Sequence, residues 1–298
     1  MRLTRPSPAA AATPADRLGS ELSGLDRLEL PVAPPAARLR RAFGSVGPKL
    51  AALAIAIGIW QLVVWTGWKP PWLLPGPATV LTELWNELLK GDLQAAAAVT
   101  LRRALLGYGV AIAVGATIGV LVVRWKTLRA AVGSLITGLQ TMPSIAWFPL
   151  AILLFQLSET AILFVVVLGA APAIANGLIA GIDNVPPLLL RAGRIVGARG
   201  FSAYRYIILP AALPSFVAGL KQGWAFAWRS LMAGELLVLI PGQPSIGARL
   251  QFARELSDAP GLIAMMIVIL AIGIVVDAVF FSTIERSILA RRGLVEGA

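Results

Sequence analysis

The 298 residues contain neither cysteine nor histidine. Thiol chemistry, disulfides, the commonest zinc ligands and the commonest general base are therefore all absent. A loop of the form Gly-x-x-x-x-Gly-Lys-Ser/Thr that would cradle a phosphate is absent too, so ATP hydrolysis is not expected from this chain. No metal and no catalytic residue is assigned. The residues left for chemistry are ionisable groups inside long apolar stretches: Lys221, Arg229, Glu235 and Asp277. Such groups face a cavity or a partner, because the hydrocarbon solvates charge poorly. The planar fork of Arg229 suits the oxygens of a sulfonate or carboxylate passing by, with Glu235 near the same path. The competing reading is structural, with Arg229 paired to Glu235, or Lys221 to Asp277, to hold helices together.

These groups need a membrane scaffold to position them. The chain is 57% hydrophobic and 14% charged, with a mean hydropathy of +0.79, too apolar for a soluble domain of this length. Six stretches are long enough to cross a hydrocarbon core of about 30 Å. They lie near 50–68, 104–123, 130–157, 160–182, 211–234 and 259–284, the fifth interrupted by Lys221 and Arg229. An amphipathic helix over 79–90 follows a Pro-rich loop and is expected on the outer surface. Gly109, Gly115 and Gly119 in the second stretch suit close helix packing.

The domain division that follows is a cytoplasmic, largely disordered tail over 1–48, a six-helix domain over 49–292 with a loop at 186–210, and a short tail over 293–298. The net charge of +11 is a matter of orientation and not of nucleic-acid binding. With the N-terminus inside, 18 of the 26 cations fall in cytoplasmic segments and 6 outside. That imbalance places both ends in the cytoplasm.

The inner loop between the fourth and fifth stretches runs Arg191-Ala192-Gly193, then Gly197, then Ile207-Ile208-Leu209-Pro210. It resembles the cytoplasmic EAA loop of ABC importer permeases, whose pattern is Glu-Ala-Ala, a Gly four residues on, and an Ile-x-Leu-Pro ending. Ala192, Gly197, Ile207, Leu209 and Pro210 fall in register, while Arg191 stands where the pattern has Glu and Gly193 where it has Ala. A short helix over Pro187–Val196 is expected, small at Ala192 and Gly193 for close approach, ended by Gly197, with Pro210 marking the return into the membrane. With Arg191 in the first position, the partner's seat is expected to be acidic there.

Two further stretches, Thr141-Met142-Pro143-Ser144-Ile145-Ala146-Trp147-Phe148-Pro149 and Trp72-Leu73-Leu74-Pro75-Gly76-Pro77, look like the sulfonate, nitrate and taurine permease group. The resemblance covers residues 55 to 292. It implies an all-α integral membrane protein of the type I ABC importer (MetI-like) permease fold, with six transmembrane helices and a cytoplasmic coupling helix in the bacterial inner membrane. It also implies a homodimer, two cytoplasmic ABC ATPase subunits that carry the ATP and Mg, and an extracytoplasmic solute-binding protein. The solute would be a small anion such as an aliphatic sulfonate, taurine or nitrate, with bicarbonate or a pyrimidine precursor still open. Pro143 and Pro149 break the backbone ladder of the third stretch, which favours a pore-lining role for Thr141, Met142, Ser144 and Trp147 against a plain kink. The competing function is a carrier driven by an ion gradient, against which stand the scarcity of acidic residues in the spans and the lack of a repeat between halves.

Overall fold

The computed structural model describes residues 35–291. The tail reading for 1–34 and for 293–298 lies outside them. Helix α1, Pro35–Trp65, forms a unit of its own up to Leu62. It begins well before the apolar run, so residues 35–48, expected as tail, are helical. Its portion long and apolar enough to cross a membrane is Gly47–Trp65.

The remaining elements make a second unit from Val63 onward. They are α2 (Pro77–Lys90), α3 (Asp92–Arg124), α4 (Lys126–Thr141), α5 (Phe148–Phe155), α6 (Glu159–Asp183), α7 (Pro187–Ile195), α8 (Phe201–Leu237), α9 (Ile246–Glu255) and α10 (Ala259–Ile288). Among the described residues five helices are long and apolar enough to span a membrane, and α4 with α5 forms a bent pair that meets the same test when taken as one span. The third stretch, expected over 130–157 with its backbone ladder broken at Pro143 and Pro149, is two helices, α4 and α5. It breaks after Thr141 by 104°, because Pro143 adopts extended backbone and Pro149 sits at the start of α5, where its missing N–H costs nothing. The second span is longer than its apolar pattern, starting at Asp92 and carrying Arg102 and Arg103 on the helix.

Helix α6 is the centre of the second unit. Val165, Val166, Ala170 and Ile174 are fully buried, and α3, α5 and α8 close around them. Lipid is as apolar as these side chains, so close packing and not water exclusion holds the helices. The sequence meets that demand with small residues. A Cβ on Gly219 of α8 would lie 2.6 Å from the Cα of Gly177 of α6, so the two backbones touch there. On α3, a Cβ on Gly115 would lie 2.6 Å from the carbonyl oxygen of Ala171, and one on Gly119 3.0 Å from Leu178. Gly107 joins that face, where Val166 would be 2.8 Å away. Gly109 does not: nothing lies within 4 Å of its Cβ position, since it sits on the other side of α3.

Two π turns interrupt the long helices, at Tyr204–Ile208 in α8 and Asp277–Phe281 in α10. The first has a local cause. Pro210 cannot donate to the ladder and its ring crowds the carbonyl four residues back, so the turn widens just before it.

Candidate functional site

The expected coupling helix forms at α7, ending at Ile195. Gly197 has φ +87 and closes it in the left-handed conformation. Its N–H donates to Arg194 O at 3.2 Å and Ala198 N–H donates to Gly193 O at 2.8 Å, the paired bonds of a Schellman cap. Gly193 is buried under Ile207: a Cβ there would run into the Ile207 Cδ1. That contact accounts for Gly at this position, because Ile207 fills the space a methyl would take and so ties α7 to the start of α8. Leu209 and Pro210 follow at the end of the π turn, as the spacing requires.

The outward face of α7 is apolar and basic. Leu188 is 74% exposed and Ile195 and Val196 are each 87% exposed. Arg191, Ala192 and Arg194 are exposed beside them, and none of the arginines at 191, 194 and 199 makes an ion pair among the described residues. No acidic residue occurs between Asp183 and Glu235. Large apolar side chains this exposed on a short, well-capped helix mark a surface built to be covered.

Of the four intramembrane ionisable groups, one expected pair forms and one does not. Lys221 Nζ lies 3.2 Å from Asp277 Oδ1 and 3.7 Å from Glu285 Oε2. Arg229 is not paired with Glu235. Six residues apart on one helix, the two side chains point to different faces: Arg229 is exposed, its Nε–H donating to Ala225 O at 3.1 Å and its guanidinium 4.8 Å from the Phe226 ring centroid. Glu235 is fully buried.

Glu235 belongs instead to a buried network the sequence reading missed. Its partner is Arg103, 2% exposed, whose Nη1 donates to Glu235 Oε1 at 3.1 Å. Arg103 also donates to Glu159 Oε1 at 3.1 Å and to Gln243 Oε1 at 2.7 Å. Thr100 Oγ1 donates to Glu235 Oε2 at 2.9 Å and accepts from Ile246 N–H at 3.0 Å, while Gly247 N–H donates to Glu235 Oε2 at 3.1 Å. A Cβ on Gly247 would strike the Glu235 side chain, so this glycine lets the carboxylate reach the first turn of α9. The network joins α3, α6, α8 and α9 at one end of the bundle. The available signal was Thr100, Arg102 and Arg103 at the edge of an apolar run, which reads as an ordinary loop charge.

At the same end, Glu87 of α2 is buried against Arg249 of α9 and accepts from Lys90 at 2.9 Å, which holds the Lys90 ammonium above its ordinary pKa. At the other end Arg129 forms a two-point pair with Asp183, at 2.9 and 2.8 Å, fixing α4 to the end of α6.

The residues expected near the pathway in the third stretch lie at its break. Thr141 bonds back to Gly138 O at 2.8 Å, Met142 is exposed, and Ser144 and Trp147 are half-buried. Trp147 packs on the α6 core, and Ser144 lies near Gly169, where a Cβ would be 3.6 Å from it.

These features, long apolar helices packed around α6 with a short capped helix, α7, between α6 and α8, are those of a polytopic membrane protein. Residues 109–286 match the family described as binding-protein-dependent transport system inner membrane component. The chain belongs to that family and is a permease subunit of an ABC importer. A putative ABC transporter permease of Methanocaldococcus jannaschii is 30% identical over 77% of this chain and 86% of its own length. A putative aliphatic sulfonates transport permease of Bacillus subtilis is 28% identical over 82% of this chain and 87% of its own. A solved inward-facing structure of the MetNI methionine ABC transporter aligns with a TM-score of 0.58 at 18% identity, covering 68% of this chain and 98% of the solved one. The fold is the MetI-like permease fold.

Proposed function

We propose that this permease works as a homodimer in the bacterial inner membrane, both termini cytoplasmic, and imports a small anionic solute such as an aliphatic sulfonate. Two cytoplasmic ATPase subunits bind ATP and Mg, seat α7 and transmit their closure to α6 and α8. An extracytoplasmic binding protein delivers the solute at the opposite end. Arg191, Ala192, Gly193, Gly197, Ile207, Leu209 and Pro210 build the coupling surface, and Thr141, Met142, Ser144, Trp147 and Arg229 lie along the pathway. Glu235 acts on it from behind, through Arg103 and α9.

The observation that carries the reading is the exposed apolar and basic face of α7, held rigidly by the Gly197 cap and the Gly193 to Ile207 contact. A helix capped at its C-terminus and seated on Ile207 passes on displacement where a loose loop would absorb it. The cationic face calls for a seat that supplies carboxylates opposite Arg191. The test is copurification of a cytoplasmic ATPase with the tagged chain, native or carrying Ala192→Glu with Gly197→Asp. Loss of the ATPase from the altered chain, with the chain itself still folded in the membrane, supports the reading. An ATPase retained equally by both, or bound by neither, rejects it.

A further inference from the structure

Arg229 stands out because it makes no ion pair among the described residues. On α8 the residues Ala218, Gln222, Ala225 and Arg229 are all exposed and recur at helical spacing, so they form one stripe. This stripe and the facing side of α10 enclose a groove of about 540 Å³, whose lining includes Gln222, Trp228, Arg229, Asp277 and Glu285. The charges along the groove are unevenly matched. Lys221 is held between Asp277 and Glu285. Arg229, two turns and about 12 Å farther along α8 at 1.5 Å per residue, has no carboxylate among the described residues. Its Nε–H is used on Ala225 O and one face lies on Phe226, while its two terminal nitrogens have no hydrogen-bond partner among the described residues.

A cation at this depth in a membrane-spanning helix is costly without a counter-charge. Water in the groove reduces that cost and an oxyanion removes most of it, since the fork donates to two oxygens of a sulfonate or carboxylate side by side. We propose that this groove binds a single small monoanion on Arg229, with the Gln222 amide as a second polar contact. The triad of Lys221, Asp277 and Glu285, in which two carboxylates outnumber one ammonium, marks the inner end of the site and turns an anion back toward Arg229. The inference rests on the importer reading only for where the anion comes from; the site itself is defined by the groove and its charges.

The lack of any native cysteine gives a direct test. The full chain carrying Ala225→Cys, in phosphatidylcholine nanodiscs, is modified with an anionic sulfonatoethyl methanethiosulfonate and with its cationic trimethylammonium counterpart. Adding Arg229→Gln should lower the ratio of anionic to cationic rates about ten-fold, the effect of one unit charge roughly 6 Å away in a water-filled groove. Ethanesulfonate should slow modification in the Arg229 protein and not in the Arg229→Gln protein. Gly273→Cys, on the facing side of the groove where an added Cβ meets only ordinary contacts, repeats the measurement in case the first variant fails to fold. A rate ratio that changes less than about two-fold, protection that is absent, or a site that neither reagent reaches at either position would each overturn the proposal, the last because lipid or a second copy then fills the groove. The measurement needs no ATPase, so its failure leaves the importer reading in place. Conversely, a positive result without any ATPase partner would leave the anion site standing alone.

Discussion

Removing Arg103 isolates what the buried network contributes. Arg103→Met keeps length and helix propensity but leaves Glu235 fully buried without the one cation that pairs with it among the described residues. Thr100 and the Gly247 N–H still donate to the carboxylate, so its loss is partial. Breaking a buried pair by removing one partner costs about 3–5 kcal/mol, and the retained donors place the expectation near the lower bound, about 3 kcal/mol. Arg102 is the internal control. It bonds the same Glu159 at 2.6 Å, but its side chain is 57% exposed, so Arg102→Met should cost no more than about 1 kcal/mol. Reversible unfolding in mild detergent, followed by tryptophan fluorescence, reads both. Adding Glu235→Leu to Arg103→Met should recover part of the loss, because an apolar pair leaves no charge stranded. If Arg103→Met falls within about 0.5 kcal/mol of the native chain, or matches Arg102→Met, the network is not the rigid joint described above.

Gly219→Ala forces α6 and α8 apart at Gly177 and should destabilise the bundle by about 1–3 kcal/mol in the same assay. Gly109→Ala meets nothing within 4 Å and should be neutral or stabilising by up to about 1 kcal/mol, the helix propensity difference. Gly197→Val places a β-branched residue at φ +87, costing the loop about 1–2 kcal/mol; limited proteolysis should show faster cleavage between α7 and α8 while bundle unfolding is unchanged. Leu188→Asp, on a side chain that touches water and not the bundle, should leave stability within about 0.5 kcal/mol while reducing ATPase copurification.

Sequence and structure agree most closely where local chemistry decides the outcome. Gly197, Pro210 and the apolar lengths act within a few residues of themselves, so the cap, the return into the membrane and the spans are readable from order alone. The Lys221 to Asp277 pair was one of two pairings the composition allowed, and only the packing of α8 on α10 selects it. Arg103 was unreadable for the opposite reason. Its partners lie far along the chain at Glu159, Glu235 and Gln243, and in sequence it stands beside Arg102 as though both were loop charges. Gly109 and Gly107 show the same limit in miniature, since two residues round a helix reverse which side faces a neighbour. The break after Thr141 was signalled by two prolines, but whether a proline kinks or breaks a helix depends on what its freed backbone groups meet.

The most direct test of ATP-driven import is uptake of labelled ethanesulfonate by cells lacking this chain and complemented with either the native chain or Ala192→Glu with Gly197→Asp. Uptake that requires the native loop, stops when arsenate depletes ATP and persists when an uncoupler collapses the proton gradient is the predicted result. Uptake that survives ATP depletion, ends with the gradient and ignores the altered loop would contradict it and identify a gradient-driven carrier.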